Sequence, residues 1–380
     1  MNENWGDGTR AVHAGLPAPH PGAPLLPGPV FAAPYHLAGY PPGGPDGTAD
    51  AYARNSNPTL GRYEEALGQL ERGDAVVFAS GMAAVSAVLL DTLVPGDVLV
   101  LPSDGYYVTR VLAREVLGAR GVEVREVPTT GPYSAELLAG ARLVLLETPA
   151  NPGLDVCDLA AVIPAARAAG ALVGVDNTTA TPLGQRPLDF GADFSISSDT
   201  KAMTGHGDLL LGHVAVTDPA LLERLRAWRT RTGGLPGPFE TWLAHRSLGT
   251  VDLRLTRQAA NALALADLLA DRREVTDLRY PGRPGDPAHA TASRQMRRFG
   301  GVLSFTLPSA EAVDRFVAAS ALMVSATSFG GLHTTVDRRA QWGGDVVPAG
   351  FVRLSAGCED TVDLLADLAT ALDALGPTPR

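Results

Sequence analysis

From Asp74 to Asp176 the chain alternates short apolar runs with helical patterns, and this alternation restricts its fold more than any other feature. Asp74 to Ala79, Asp97 to Pro102, Val122 to Val127, Leu143 to Glu147 and Leu172 to Asp176 read as strands. An apolar helical run to Leu93 follows the first of them, and a helix from about Asp158 to Ala169 separates the last two. Strands alternating with helices through short turns imply an α/β domain, a parallel sheet covered on both faces. Ligands of such sheets sit at the carboxyl ends of the strands. Two polar clusters fall there: Glu147 to Pro152, which includes Asn151, and Val175 to Thr178, which includes Asp176.

The segment Asp193 to Thr217 holds Lys201, the sole lysine among 31 basic residues. Arginine stays protonated, whereas a desolvated lysine can lose its proton and form an imine with an aldehyde. Ser198 and Thr200 precede it, and their hydroxyls suit phosphate oxygens; Gly205 and Gly207 after it permit a tight turn. Composition alone fits an arginine-biased chain equally well, with one lysine left on a solvated turn.

Other candidates follow the same logic. Tyr52 and Arg54 join a phenol to a fork of donors before a helix that starts at Asn57-Pro58-Thr59; they suit a phosphate, or form a surface pair. Ser80-Gly81-Met82 links a strand to a helix N-terminus, an anion site made of backbone N–H groups or a packing turn. Tyr106 can stack on an aromatic ligand and move protons, or cap a helix. Asp176 ends an apolar strand, where a carboxylate needs a cationic or donating partner unless solvent reaches it. Arg353 lies mid-strand and calls for a carboxylate, from the protein or from a ligand. The short acidic pair around Cys157, and His206 and His213, read as caps and hydrogen-bonded support rather than as a metal site.

Taken together these stretches resemble the Cys/Met-metabolism family of pyridoxal-phosphate enzymes. Ser198-Asp199-Thr200-Lys201 with Gly205-His206-Gly207-Asp208 matches its Ser-x-Thr-Lys and Gly-His-x-Asp signature. Tyr52 to Thr59, Asp176-Asn177-Thr178 and Arg353-Leu354-Ser355-Ala356-Gly357-Cys358-Glu359 match further motifs in order. The resemblance implies the fold-type I transferase architecture: a large domain with a mostly parallel seven-stranded sheet, and a smaller C-terminal α+β domain. It implies that Lys201 binds pyridoxal 5'-phosphate covalently and that Gly81, Met82, Ser198 and Thr200 hold the phosphate. Tyr52 and Arg54 reach the phosphate of a neighbouring subunit. By the same resemblance Asp176 faces the pyridine nitrogen, Tyr106 stacks on the ring and donates a proton, Asn151 sits near the cofactor's phenolic oxygen and the substrate, and Ser328 and Arg353 meet the amino-acid substrate. The implied reaction is γ-elimination by a cystathionine γ-lyase, yielding cysteine, 2-oxobutanoate and ammonia. The alternatives are γ-replacement by a cystathionine γ-synthase or O-acyl-homoserine sulfhydrylase, or a secondary-metabolism relative. Tyr107 and Val108 depart from the pattern after Tyr106, Thr327 stands where cystathionine-handling members often carry glutamate, and only 21 residues separate Gly331 from Arg353.

Ten prolines between Pro17 and Pro45 make residues 1–50 an extended arm, which the resemblance docks on another subunit of a homo-oligomer, a tetramer built from dimers. Residues 51–245 form the cofactor domain and 246–380 the small domain. A net charge of −10 argues against nucleic acid or an anionic membrane as the main partner. No run reaches the length of a membrane helix, and two isolated cysteines suggest no disulfide framework, so the expected compartment is the cytoplasm.

Overall fold

The computed structural model describes residues 5–37 and 51–376, so the arm from 38 to 50 lies outside the described residues. Seven strands form the large sheet: β1 (Asp74–Phe78), β2 (Val98–Pro102), β3 (Glu123–Val127), β4 (Ala141–Glu147), β5 (Leu172–Asp176), β6 (Phe194–Ser197) and β7 (Gly212–Val216). Their order is β1-β7-β6-β5-β4-β2-β3. β7 runs antiparallel to both neighbours and the other pairs are parallel, as expected of a mostly parallel sheet.

The apolar runs of β2, β4 and β5 are continuous because these central strands are covered on both faces, whereas the edge strand β3 is half-exposed. Leu99, Leu101, Leu143 and Leu145 point to one face, where they pack with the helices Gly81–Thr92 and Pro219–Thr232. Val98, Val100, Val144 and Leu146 alternate to the other, against the helix Leu159–Ala168. Asn57 caps the helix Pro58–Glu71 by accepting from the Thr59 N–H at 2.8 Å, with proline at the first helical position.

A second sheet holds β8 (Thr276–Arg279), β9 (Val302–Thr306), β10 (Val324–Ser325), β11 (Thr335–Arg338) and β12 (Phe351–Ser355), in the order β10-β11-β12-β9-β8. It has its own core with the helices Ala310–Ala319 and Thr361–Asp373. The long periodicity after Leu243 is two helices, Pro238–Leu248 and Val251–Ala270, separated at Gly249-Thr250. The second of them gives Val251 and Leu255 to the core of the large sheet's outer helices and Leu265 and Leu269 to the small core.

Among its described residues the arm contains one short helix, Asp7–His13, ahead of the prolines. Beyond it Val30 donates its N–H to Thr59 Oγ1 at 2.9 Å, and Asn57 Nδ2 donates to the Val30 carbonyl at 3.0 Å, so the extended segment is pinned to a helix start. Phe31 remains 72% exposed. No helix among the described residues is long and apolar enough to cross a membrane.

Candidate active site

Because β1, β2, β4, β5 and β6 point the same way, the segments that follow them share one edge of the sheet. Two adjoining cavities open there, an inner one of about 230 Å³ and an outer one of about 810 Å³. Lys201, Tyr106, Asn151 and Thr200 line both.

Lys201 sits on a turn held from several sides. Arg254 donates to the carbonyls of Ala202 at 2.6 Å and Met203 at 3.0 Å, and Thr204 Oγ1 donates to the Asp199 carbonyl at 2.8 Å. Gly330 presses against the same turn, where a Cβ would stand 2.6 Å from the Ala202 nitrogen. The Lys201 ammonium donates to Ser328 Oγ at 2.9 Å. Burial, and then the Arg353 charge, pull its pKa down to about 8, against the opposing pull of Asp176. Ser328 itself adopts a φ of 73°, a left-handed conformation that a non-glycine residue rarely takes without compensating contacts.

One end of the inner cavity is an anion cradle. Gly81 and Met82 begin the helix whose cap, Ser80, accepts from the Ala83 N–H at 3.1 Å, so first-turn N–H groups are available to a ligand. Ser198 lies so close that a Cβ on Gly81 would meet its Cβ at 2.5 Å. Thr200 Oγ1 accepts from the Leu211 N–H at 3.1 Å. The other end holds Asp176, whose Oδ1 accepts from the Thr178 N–H at 3.0 Å. Burial raises its pKa, while Thr178 and Lys201 pull the other way.

Glu147 pairs in register with Asp176 across β4 and β5, so two carboxyl groups end neighbouring strands. Its oxygens accept from the Tyr106 N–H at 2.6 Å and the Asn151 N–H at 2.7 Å, tying two site loops together. Burial and the nearby Asp176 push its pKa up to about 8, against the pull of these donors. The sequence marked this residue only as part of a polar cluster; its place at the end of an apolar strand was the available signal. Tyr106 packs edge-on against Tyr107 with ring centroids 5.5 Å apart, and burial raises its pKa, followed by Tyr107. The hydroxyl therefore stays protonated.

Arg353 lies on β12 and lines the outer cavity. It donates to Asn151 Oδ1 at 2.7 Å, to the Ser328 carbonyl at 2.8 Å and to Asp337 Oδ2 at 3.0 Å. It thus has a protein carboxylate as well as an opening toward a ligand. Burial and Arg339 lower its pKa to about 10.

Tyr52 and Arg54 stand apart from these cavities. Tyr52 is 46% exposed, Arg54 stacks over its ring at 5.5 Å, and Arg54 donates to the Thr230 carbonyl at 2.9 Å. Within one chain they do not join Lys201. His213, read as support, lies fully buried between Asp199 and Glu71, while Asp158 caps the helix Leu159–Ala168.

The Cys/Met metabolism PLP-dependent enzyme family matches residues 43–373. The chain belongs to this family. It is 56% identical over 373 residues to the "Putative cystathionine gamma-lyase" of Streptomyces coelicolor, covering 97% of this chain and 94% of that protein. The cystathionine gamma-synthase of Mycobacterium tuberculosis is 36% identical over 381 residues, 97% of each chain. The solved structure of apo CalE6, a methionine gamma lyase from Micromonospora echinospora, superposes with a TM-score of 0.91 at 36% identity, over 98% of this chain and all of that one.

The family depends on pyridoxal phosphate, and the inner cavity fits it. The donor set runs from N–H groups and hydroxyls at the Gly81 end, past the Lys201 amine, to the buried Asp176 carboxyl, an acceptor suited to a cationic N–H. These features match a phosphate, an aldehyde and a protonated pyridine nitrogen in that order.

Proposed function

We propose that this enzyme catalyses γ-elimination on a sulfur amino acid, with cystathionine and water giving cysteine, 2-oxobutanoate and ammonia. The observation that carries the reading is the position of the Lys201 amine between the inner cavity ending in Asp176 and the outer one lined by Arg353. Pyridoxal phosphate supplies an electron sink that acidifies the substrate Cα and Cβ protons. Gly81, Met82, Ser198 and Thr200 hold its phosphate, and Asp176 keeps its ring nitrogen protonated. Arg353 and Ser328 bind the substrate carboxylate with Asn151 beside them. Lys201 Nζ, with a pKa of about 8, takes the Cα proton as the general base. Tyr106 keeps its hydroxyl proton and delivers it to the departing γ-sulfur.

A second reading is γ-replacement on an acylated homoserine. It is favoured by Thr327, which lines the outer cavity where cystathionine-handling members often carry glutamate.

Three further parts belong to this proposal. The chain divides into an arm (1–50), a cofactor domain (51–245) and a small domain (246–380). Tyr52 and Arg54 complete the phosphate site of an adjacent subunit in a homotetramer. The compartment is the cytoplasm, in keeping with two unpaired cysteines.

The test is borohydride trapping with peptide mass analysis, followed by incubation with cystathionine and, separately, with O-acetyl- or O-succinylhomoserine plus a thiol. Label at Lys201 and 2-oxobutanoate from cystathionine support the first reading. Thioether formation without release from cystathionine selects the second, and an unlabelled Lys201 overturns both.

A further inference from the structure

The segment between β11 and β12 carries charges that the reaction above leaves unused. Asp337 and Asp345 are almost fully buried, and each meets two arginines. Asp337 Oδ2 accepts from Arg353 Nη2 at 3.0 Å and from Arg339 Nη1 at 2.9 Å. Asp345 Oδ2 accepts from Arg339 Nε at 2.9 Å, and its Oδ1 lies 3.4 Å from Arg110 Nη2. The five side chains form one ladder of alternating sign.

Its ends lie on different sheets' domains. Arg353 is on β12, while Arg110 belongs to the short helix Tyr107–Val111 and donates Nε to the Gly105 carbonyl at 3.1 Å, next to Tyr106. The same Arg110 holds the Gly344 carbonyl at 3.0 Å, and a Cβ on Gly344 would stand 2.5 Å from the Tyr107 ring. The turn therefore rests on the aromatic pair that contains Tyr106.

The ladder counts three guanidiniums and two carboxylates, so one buried positive charge lacks a partner. Leaving an ion uncompensated in a low-dielectric site is costly, and an arriving carboxylate relieves that cost. The opening toward the outer cavity is at Arg353, the end facing Lys201 and Tyr106.

We infer that Arg110, Asp345, Arg339 and Asp337 are positioning residues: they fix Arg353 against the amino-acid carboxylate and tie it across the domains to the loop of Tyr106, so that the two act as one unit. This rests on the assignment of Arg353 to the substrate carboxylate. Asp345 lines neither cavity; it acts through the two arginines beside it.

The experiment compares wild-type holoenzyme with Asp345→Asn, Arg110→Gln, their double variant and Arg353→Gln. Glycine, which has a carboxylate and no γ-substituent, is titrated by the change in the cofactor's visible absorbance, alongside kcat, KM and Tm. Each single ladder variant is expected to weaken glycine binding and raise KM about tenfold, and the double variant to do little more than one of them. Glycine affinity unchanged in Asp345→Asn, whatever happens to Tm, overturns the inference, as do purely additive effects. Glycine affinity that survives Arg353→Gln overturns the carboxylate assignment as well. If Asp345→Asn yields no folded holoenzyme, Arg110→Gln, which leaves the Arg339 contacts in place, carries the same expectation.

Discussion

Replacing His213 with leucine removes the centre of a fully buried polar cluster beneath the lysine turn. Its Nδ1 lies 2.7 Å from Asp199 Oδ1 and its Nε2 lies 3.1 Å from Glu71 Oε1, while Tyr63 donates to Asp199 Oδ2 at 3.0 Å. Both ring nitrogens face carboxylate oxygens, so both must donate, which requires the imidazolium. Burial alone pulls the imidazole toward its neutral form; Asp199 and Glu71 more than offset this and raise its pKa to about 10 from 6.5. At about 1.4 kcal/mol per pH unit, that interval is worth about 5 kcal/mol. Because the folded value is raised, the stabilisation is complete below pH 6.5 and is lost as pH climbs through 10. Between pH 7 and 9 about 2 to 3 kcal/mol of it disappears. Seen from the carboxylates, the same interaction is the loss of their buried cation, about 3–5 kcal/mol, and the second Glu71 oxygen is already buried without a hydrogen-bond partner. The assay is urea unfolding of wild-type and His213→Leu holoenzyme at pH 7 and pH 9, where comparison cancels the cofactor's own pH dependence. The variant should be several kcal/mol weaker at pH 7 and approach the wild type at pH 9. A loss under about 1 kcal/mol at pH 7, or parallel curves across the range, would refute the charged-imidazole argument.

Gly81→Ala should weaken pyridoxal phosphate binding about tenfold or more in equilibrium dialysis, because the new methyl displaces Ser198 from the cradle. The rate at which apoenzyme recaptures pyridoxal phosphate should rise with pH up to about 8 and then level, since burial and Arg353 lower the Lys201 pKa and only the neutral amine is nucleophilic; a rate constant across pH 6 to 9 counts against this. Arg54→Ala and Lys201→Ala, each inactive alone, should recover about one quarter of wild-type activity when unfolded together and co-refolded, because half the dimers are mixed and each mixed dimer has one intact site. Mixed dimers without activity would remove Tyr52 and Arg54 from a shared site.

Local physics explains why much of the sheet was legible. Asp74–Phe78, Val98–Pro102, Ala141–Glu147 and Leu172–Asp176 are strands because each presents apolar side chains to two covered faces, a pattern that needs no tertiary knowledge. Asn57-Pro58 at a helix start and Asp158 as a cap were readable for similar reasons, since their side chains bond within three residues. The small helix Asp7–His13 was not, because its apolar face is a single buried Ala11 backed by distant partners. Asp176 stood out because a carboxylate ending an apolar strand has few bland explanations, and Lys201 because it is the sole lysine of the chain. Glu147 satisfied the same criterion and was passed over, because what distinguishes it is its pairing with Asp176 and its grip on two loop N–H groups, neither of which is local in sequence. The ladder from Arg110 to Arg353 was hidden more completely, as its members are separated by up to 243 positions and converge only when the two sheets meet.

That convergence also accounts for the solitary lysine. The buried cations elsewhere perform a task that one ammonium does poorly: Arg254 grips carbonyls of Ala202, Met203 and Ser247, Arg186 reaches the Leu70 carbonyl and Asp7, and Arg353 spans Asn151, Ser328 and Asp337. A planar fork with five donors serves several acceptors at once and never titrates in the working range. The proposed reaction sets the opposite requirement at position 201, whose nitrogen must be neutral part of the time. Arg353 helps to provide this, its charge acting with burial to lower the lysine pKa toward 8. On the proposed assignment of Arg353 to the substrate carboxylate, the same guanidinium also tunes the lysine, and neutralising Arg353 should raise the Lys201 pKa as well as weaken substrate binding.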